Sequence, residues 1–112
     1  MKGTIKPSDE ITEFFETARR FHTKTITALI RETGRKRGTR GRVAFIAGKR
    51  LGSAPARNKA KRRMREAAHI LNAPWQGHDI VFIAKQDVLA KSFTDVVTDM
   101  GQIVKSLQEK EI

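Results

Sequence analysis

The sequence predicts an α+β protein in which three helices pack on a small mixed sheet of about four strands, in the order αββ(β)αβα. Apolar residues recur at helical spacing in three segments, over 11–18, 56–71 and 93–107. β-Branched residues are frequent over 21–31, and their side chains separate into two faces. A short, uniformly apolar run at 80–84 is typical of a strand that is covered on both faces.

The length of 112 residues is enough to bury one hydrophobic core, so we predict a single domain over 1–112. The chain contains no cysteine, which excludes disulfides, thiolate zinc sites and a cysteine nucleophile. No apolar segment has the length of a signal peptide, and none approaches the ~18–20 residues of a membrane span. We therefore expect a soluble, cytoplasmic protein without a membrane partner.

The first helix is predicted to begin at Ser8 or Asp9, either of which can cap it, and to end near Arg20. Residues 1–7 before it are expected to be flexible. A strand follows over 21–31, where alternate side chains point to opposite faces. The face suited to the core carries Ile26, Ala28 and Ile30. The other face is available for another role and carries Thr25, Thr27, Leu29 and Arg31.

The segment 34–41 contains three glycines and four cations and has no periodicity, which predicts a mobile basic loop. This loop is either a solvent-exposed linker or a direct contact to phosphates. A second strand is predicted over 43–47, before a helix rich in cations. The strand over 80–84 belongs at the centre of the sheet, and Ser92 or Thr94 caps a closing helix.

The cation-rich helix is predicted to run from about Pro55 to near Asn72, because proline is accepted in a first turn and Pro74 cannot continue the helix. One stripe of this helix is apolar and suited to burial: Ala56, Ala60, Met64, Ala67 and Leu71. Cations cover the other three sides. Like charges one turn apart repel by a few tenths of a kcal/mol per pair, so this arrangement favours an anionic partner.

The net charge of +11 is concentrated in one part of the chain. Between Arg31 and Arg65 lie 14 of the 23 Lys and Arg residues, but one of the 12 acidic residues. A nucleic-acid backbone provides the density of negative charge that such a surface requires. A solvated basic face, a membrane surface and calmodulin-type binding are the alternatives. The last two need large apolar anchors, whereas the stripe of this helix is mostly alanine.

No catalytic or metal-binding pattern is evident in the sequence. His22, His69 and His78 are scattered, and none forms a pair at the spacing of metal ligands. His78 beside Asp79 could form a catalytic couple, but a position at the entry to a strand is favoured because no nucleophile is near. We therefore predict no catalytic residue, and no metal or cofactor bound by the protein alone.

Three segments in order resemble one family. The run 57–66, Arg-Asn-Lys-Ala-Lys-Arg-Arg-Met-Arg-Glu, resembles the R-N-R-x-K-R-x-x-R-E signature of the protein subunit of bacterial ribonuclease P. Upstream, 42–52 is similar to the strand and the Lys-Lys-x-Gly turn of that family, and 79–85 resembles its last strand. The match covers roughly 11–107, and an ordered series is far more specific than any one segment.

The resemblance implies a left-handed βαβ crossover through the basic helix, although sequence physics alone favours the right hand. It also implies an activity in which an RNA subunit with bound Mg²⁺ performs the catalysis and the protein assists. The partners would be the ribonuclease P RNA and precursor tRNA, with no DNA partner. In this interpretation, the holoenzyme is an endoribonuclease that removes the 5′ leader of precursor tRNA.

The resemblance further implies two RNA-binding surfaces. The residues that match the family's contacts to the catalytic RNA are Lys49, Arg50, Arg57, Asn58, Lys59, Lys61, Arg62 and Arg65. The residues that match its cleft for the single-stranded leader are Ile11, Phe15, Leu29 and Arg57. For Phe15, ordinary core packing is an alternative role. A ribosomal or chaperone-like RNA-binding protein without a processing role is the alternative function, and a DNA-architectural protein is a further one that lacks an intercalating wedge.

Overall fold

The computed structural model describes residues 15–32 and 41–109, with side chains as far as residue 107. The strands are β1 (Arg19–His22), β2 (Ile26–Glu32), β3 (Arg42–Ile46) and β4 (His78–Ala84). The helices are α1 (Ala54–Ile70), α2 (Asp87–Ala90) and α3 (Phe93–Glu109), and Lys49–Leu51 forms one turn of 3₁₀ helix. The predicted α+β fold with a four-stranded mixed sheet is confirmed.

The sheet has the strand order β1-β2-β4-β3. β4 lies between β2, which is antiparallel to it, and β3, which is parallel to it. Its residues Ile80, Val81 and Phe82 are completely buried, so the predicted central position of the apolar run is confirmed. The chain passes from β3 to β4 through α1, which makes the βαβ unit. Strand order alone does not define the hand of this crossover, so the left-handed crossover stays a prediction.

The two faces of the sheet have different roles. One face contributes Ile26, Ala28 and Ile30 to the main core beneath α1 and α3, as the alternation predicts. The opposite face has a smaller cluster of three buried residues, Leu29, Ala44 and Val81. Ala18, Ile46 and Ile83 pack around this second cluster. We call the side of the sheet that carries the second cluster the outer face.

The chain before β2 differs from the prediction. Residues 15–17 are helical, but Arg19–His22 forms β1, so the helix predicted to end near Arg20 ends earlier. The strand predicted over 21–31 is instead two strands of a hairpin. The side chain of Thr23 makes the turn between them, because its hydroxyl donates to the carbonyl of Ile26 (2.8 Å) and accepts from the Ile26 amide (3.1 Å). The alternation of side chains over 21–31 does not reveal that the Thr23 hydroxyl bonds to the backbone and interrupts the strand.

Several predicted features lie outside the described residues. These are the start of the first helix, the flexible segment 1–7 and most of the loop 34–41. Other boundaries agree to within two residues, and the Ser92 hydroxyl caps α3 by accepting from the Asp95 amide (3.2 Å). The short helix α2 was not predicted, since four residues are too few for a periodic pattern.

The carboxylate of Asp99 joins α3 to the start of β2. It accepts hydrogen bonds from the backbone amide of Thr25 (3.0 Å) and from its hydroxyl (2.7 Å). Thr25 is 1% exposed, so removal of the carboxylate would leave a buried donor without a partner.

We expect Asp99→Ala to lower the free energy of unfolding by about 1.5–3 kcal/mol, the usual contribution of hydrogen bonds to a charged group. Denaturant unfolding of the full-length protein measures this. Asp95→Ala is the matched control, because that side chain is exposed in the first turn of α3 and should contribute only ~0.3–1 kcal/mol. Equal losses for the two variants would contradict the role assigned to Asp99.

Candidate RNA interface

Helix α1 is fixed to the core by small residues. Ser53 caps its N-terminus by accepting from the Ala56 amide (3.4 Å), and a proline occupies its first turn. The fully buried residues of the helix are Ala60, Met64, Ala67 and Ala68. Ala56 and Leu71, which were predicted to be buried, are half-buried at the two ends of the helix. Burial is therefore confirmed for three of the five predicted stripe residues, Ala60, Met64 and Ala67, and Ala68 joins them.

The polar side chains of α1 surround this stripe. Exposed positions are occupied by Asn58, Lys59, Arg62 and Arg65, and half-buried positions by Arg57 and Lys61. In the described part of the chain, these six side chains make no hydrogen bond and no ion pair. Arg65 has one specific contact, a cation–π interaction in which its guanidinium lies 5.9 Å from the centre of the Phe45 ring. These side chains are therefore available to an external anion. We call the cations among them the basic row: Arg57, Lys59, Lys61, Arg62 and Arg65.

Arg57 differs from the other cations of α1 in the environment of its Nε atom. Its Nε atom is buried yet has no hydrogen-bond partner. An unsatisfied buried N–H costs roughly 1–3 kcal/mol, so such groups are uncommon outside binding sites. The role of Arg57 as a binding residue stays a prediction.

Arg63 on the same helix has a different role. Its Nη1 donates to the backbone carbonyl of Val88 (2.9 Å) and to that of Lys91 (2.8 Å). These two bonds satisfy the carbonyl groups at the end of α2 and join this short helix to α1. Arg63 is thus a structural cation, which sequence reasoning did not distinguish from its neighbours because α2 itself was not predicted.

Lys49 and Arg50 lie on the 3₁₀ turn that precedes α1, and both are exposed. The side-chain amide of Gln86 donates from Nε2 to the Arg50 carbonyl (3.1 Å), which connects this turn to the segment after β4. Together these segments line a groove of about 810 Å³ at the carboxyl ends of the parallel strands β3 and β4. Lys85 adds a third cation there, and its position directly after β4 was the only sequence signal for it.

The residues predicted for a leader cleft are not all at the surface. Phe15 is 44% exposed, which argues against the alternative of core packing. Leu29 lies on the outer face but is only 1% exposed, because the second cluster covers it. Ile11 lies outside the described residues, and Arg57 belongs to α1. Of the predicted cleft residues that the structure describes, Phe15 is therefore exposed, whereas Leu29 is buried.

A buried carboxylate on the outer face was not identified from the sequence. Asp79 is 2% exposed and accepts from the backbone amide of Arg42 (3.0 Å) and from its Nη2 (2.9 Å). The Nη2 atom of Arg31 lies 3.9 Å from the same carboxylate. Asp79 is therefore engaged with arginines, while the ring of the adjacent His78 contacts the carbonyl of Gln76 (3.1 Å). The two residues do not form a catalytic couple.

The described residues contain no group of three or more His, Cys, Asp or Glu that could hold a metal ion. Over 15–32 and 41–109, no helix is both long and apolar enough to cross a bilayer. In the part of the chain that the structure describes, unpaired cations are concentrated on α1 and on the turn before it. The fold and the site together define a small α+β protein that displays a basic helix for binding a polyanion.

The chain belongs to the ribonuclease P protein family, whose model matches residues 2–108. It is 42% identical over 73 residues to the ribonuclease P protein component of Symbiobacterium thermophilum; the match covers 62% of this chain and 61% of that protein. It is 30% identical over 101 residues to the corresponding component of Citrifermentans bemidjiense, where the match covers 90% of this chain and 84% of that protein.

Comparison with solved structures supports the same fold. The Staphylococcus aureus RNase P protein superposes with a TM-score of 0.79 and covers 96% of each chain at 19% identity. At this identity the likeness concerns the fold alone. It shows that the two proteins share the α+β fold with its small mixed sheet.

Proposed function

We propose that this protein is the protein subunit of a bacterial ribonuclease P, in which it binds the catalytic RNA and the 5′ leader of precursor tRNA. In this role it assists the RNA-catalysed endonucleolytic removal of the leader in the cytoplasm. The observation that carries the proposal is the row of unpaired cations on α1, which coincides with the signature of the family.

The physical contribution of the protein is electrostatic. A catalytic RNA and a precursor tRNA are both polyanions, and cations placed between them reduce their repulsion and release counterions. The proposed contacts to the catalytic RNA are Lys49, Arg50, Arg57, Asn58, Lys59, Lys61, Arg62 and Arg65. The Mg²⁺ ions that the chemistry requires are proposed to be bound by the RNA subunit.

The outer face of the sheet is the proposed position of the leader. The exposed ring of Phe15 offers a surface on which a base can stack. Leu29 supports this surface from beneath rather than by direct stacking, since it is buried. The remaining residues predicted for this cleft are Ile11 and Arg57, although Arg57 lies on α1, which packs on the opposite face of the sheet.

The decisive experiment combines the full-length protein with a bacterial ribonuclease P RNA and precursor tRNA. The protein should lower the Mg²⁺ concentration at which the RNA cleaves at the 5′ end of the mature tRNA, while the protein alone should produce no cleavage. Binding without any stimulation would instead favour the ribosomal or chaperone-like alternative. Specific 5′ cleavage by the protein without RNA would overturn the proposed division of labour.

Replacement of cations on α1 tests the contacts to the catalytic RNA. Arg57→Ala, Lys61→Ala or Arg62→Ala should each weaken binding by about 1.5–3 kcal/mol, the value of a charge-assisted hydrogen bond.

If six or more phosphates are neutralised, wild-type affinity should fall by roughly 10³-fold between 50 and 200 mM salt. Each variant should reduce the slope of log K against log salt by about one. Lys105→Ala, an exposed cation of α3, is the matched control and should leave this slope nearly unchanged.

Replacement of Phe15 tests the leader site. Because its ring is 44% exposed, Phe15→Ala should cost less than about 1.5 kcal/mol of stability, whereas Phe82→Ala in the core should cost ~3–5 kcal/mol. The assembled Phe15→Ala enzyme should lose up to ~1–3 kcal/mol of affinity for substrates with a long leader, but not for leaderless ones. A large stability loss without dependence on leader length would place Phe15 in the core.

A further inference from the structure

A second concave surface lies at the far end of α1, away from the 3₁₀ turn. It is a groove of about 660 Å³, which we call the C-terminal groove. Its lining includes Arg65, Glu66, His69, Ile70, Pro74 and Phe93. These residues come from the last two turns of α1, from the turn that follows it and from the first residue of α3.

The C-terminal groove combines an apolar floor with a polar rim. Ile70 is 55% exposed and is, with Phe15, one of two large hydrophobic side chains that are exposed in the described residues. The ring of Phe93 and the ring of Pro74 are partly buried beside it. The rim carries Glu66, which makes no hydrogen bond or ion pair in the described part of the chain, although cations precede it on the helix. A carboxylate in this position is open to an external donor.

The C-terminal groove is continuous with the basic row. Arg65 belongs to both, because it is the last residue of the row that includes Arg57 and Lys61 and it also lines the groove. A helix rises 1.5 Å per residue, so Arg57 and Arg65 are about 12 Å apart along α1. A nucleic-acid strand whose phosphates follow the row therefore arrives at the groove.

We propose that the C-terminal groove receives one unpaired nucleobase of the RNA whose backbone binds along α1. This inference rests on the proposed function, which supplies the RNA. The base lies against Ile70 and Phe93, and the carboxylate of Glu66 accepts a hydrogen bond from an N–H group on the edge of the base. Unpaired bases of structured RNA are typically bound in this way, with apolar or aromatic contact on the flat face and hydrogen bonds at the edge.

The chemistry of the groove favours a base over a protein partner. An ionised carboxylate is an acceptor only, and each nucleobase presents at least one N–H donor on its pairing edge. The cations beside the groove repel most basic partners and attract a polyanion. One acid within a basic surface, placed beside a groove large enough to hold a base, weakens general attraction to RNA but adds recognition of a base.

Glu66→Gln distinguishes recognition of a base from general electrostatic attraction, because the two predict opposite changes in affinity for RNA. Removal of a negative charge alone should strengthen binding of a bacterial ribonuclease P RNA. If Glu66 accepts from a base, the variant should instead bind about fivefold to tenfold more weakly, as expected when a charged acceptor is replaced by the neutral oxygen of an amide. The matched control is Glu32→Gln, an exposed acid of β2, which should bind as tightly as the wild type or more tightly. Equal behaviour of the two variants would overturn the proposal.

Ile70→Ser tests the apolar floor without changing the charge. The variant should bind the same RNA about tenfold more weakly, the magnitude of a lost base contact, with the slope of log K against log salt unchanged. Ile70→Leu preserves the floor and should restore affinity. Melting temperatures of both variants verify the fold, which should persist because Ile70 is exposed. Wild-type affinity in a folded Ile70→Ser protein would refute the groove as a base site.

The outcomes distinguish this inference from the proposed function. If the wild-type protein binds the RNA and lowers its Mg²⁺ requirement, but the variants at Glu66 and Ile70 match their controls, only the groove proposal fails. If the wild-type protein does neither, both proposals fail. Light scattering of wild type and Ile70→Ser tests a second copy of the chain as the occupant. Self-association that depends on Ile70, with unchanged RNA affinity, would also overturn the proposal.

Discussion

The close packing of α1 through small residues is the constraint on which the rest of the structure depends. Ala60, Ala67 and Ala68 are fully buried, and Met64 fills the space between them. A narrow buried stripe of this kind leaves most of the helix circumference to polar side chains. Repulsion among those cations costs a few tenths of a kcal/mol per pair, which the burial of the stripe and the contacts of Arg63 with α2 can offset.

The sequence predicted the elements whose patterns are long and regular. The buried stripe of α1, the central strand β4 and the two faces of β2 all follow from periodicity, and the structure confirms them. Features set by single side chains were missed. The hydroxyl of Thr23 turns one predicted strand into a hairpin, and Arg63 differs from its neighbours only because α2 places two carbonyl groups beside it. Periodicity contains no information about such contacts.

The candidate site was predictable to a similar extent. The identities of the cations on α1 could be read from the signature, but their availability could not. It took the structure to show that Arg57 Nε is buried without a partner, while Asp79 engages Arg42. Leu29 shows a second limit of prediction from the sequence. Alternation placed it correctly on the outer face, but it could not show that Ala44 and Val81 would bury it. Burial depends on what the neighbouring strands contribute, and that is a tertiary property.

The distribution of charge on α1 bears on both the affinity and the selectivity of the proposed RNA binding. Cations alone give affinity that depends on salt and is nearly independent of sequence, because every phosphate is alike. Selectivity requires contacts that a phosphate cannot make. Glu66, the acid that ends the signature, lies beside the exposed Ile70 at the end of the basic row, where it opposes general attraction to any polyanion. An acid in that position is costly for non-specific binding, and the proposed contact with a base would offset this cost.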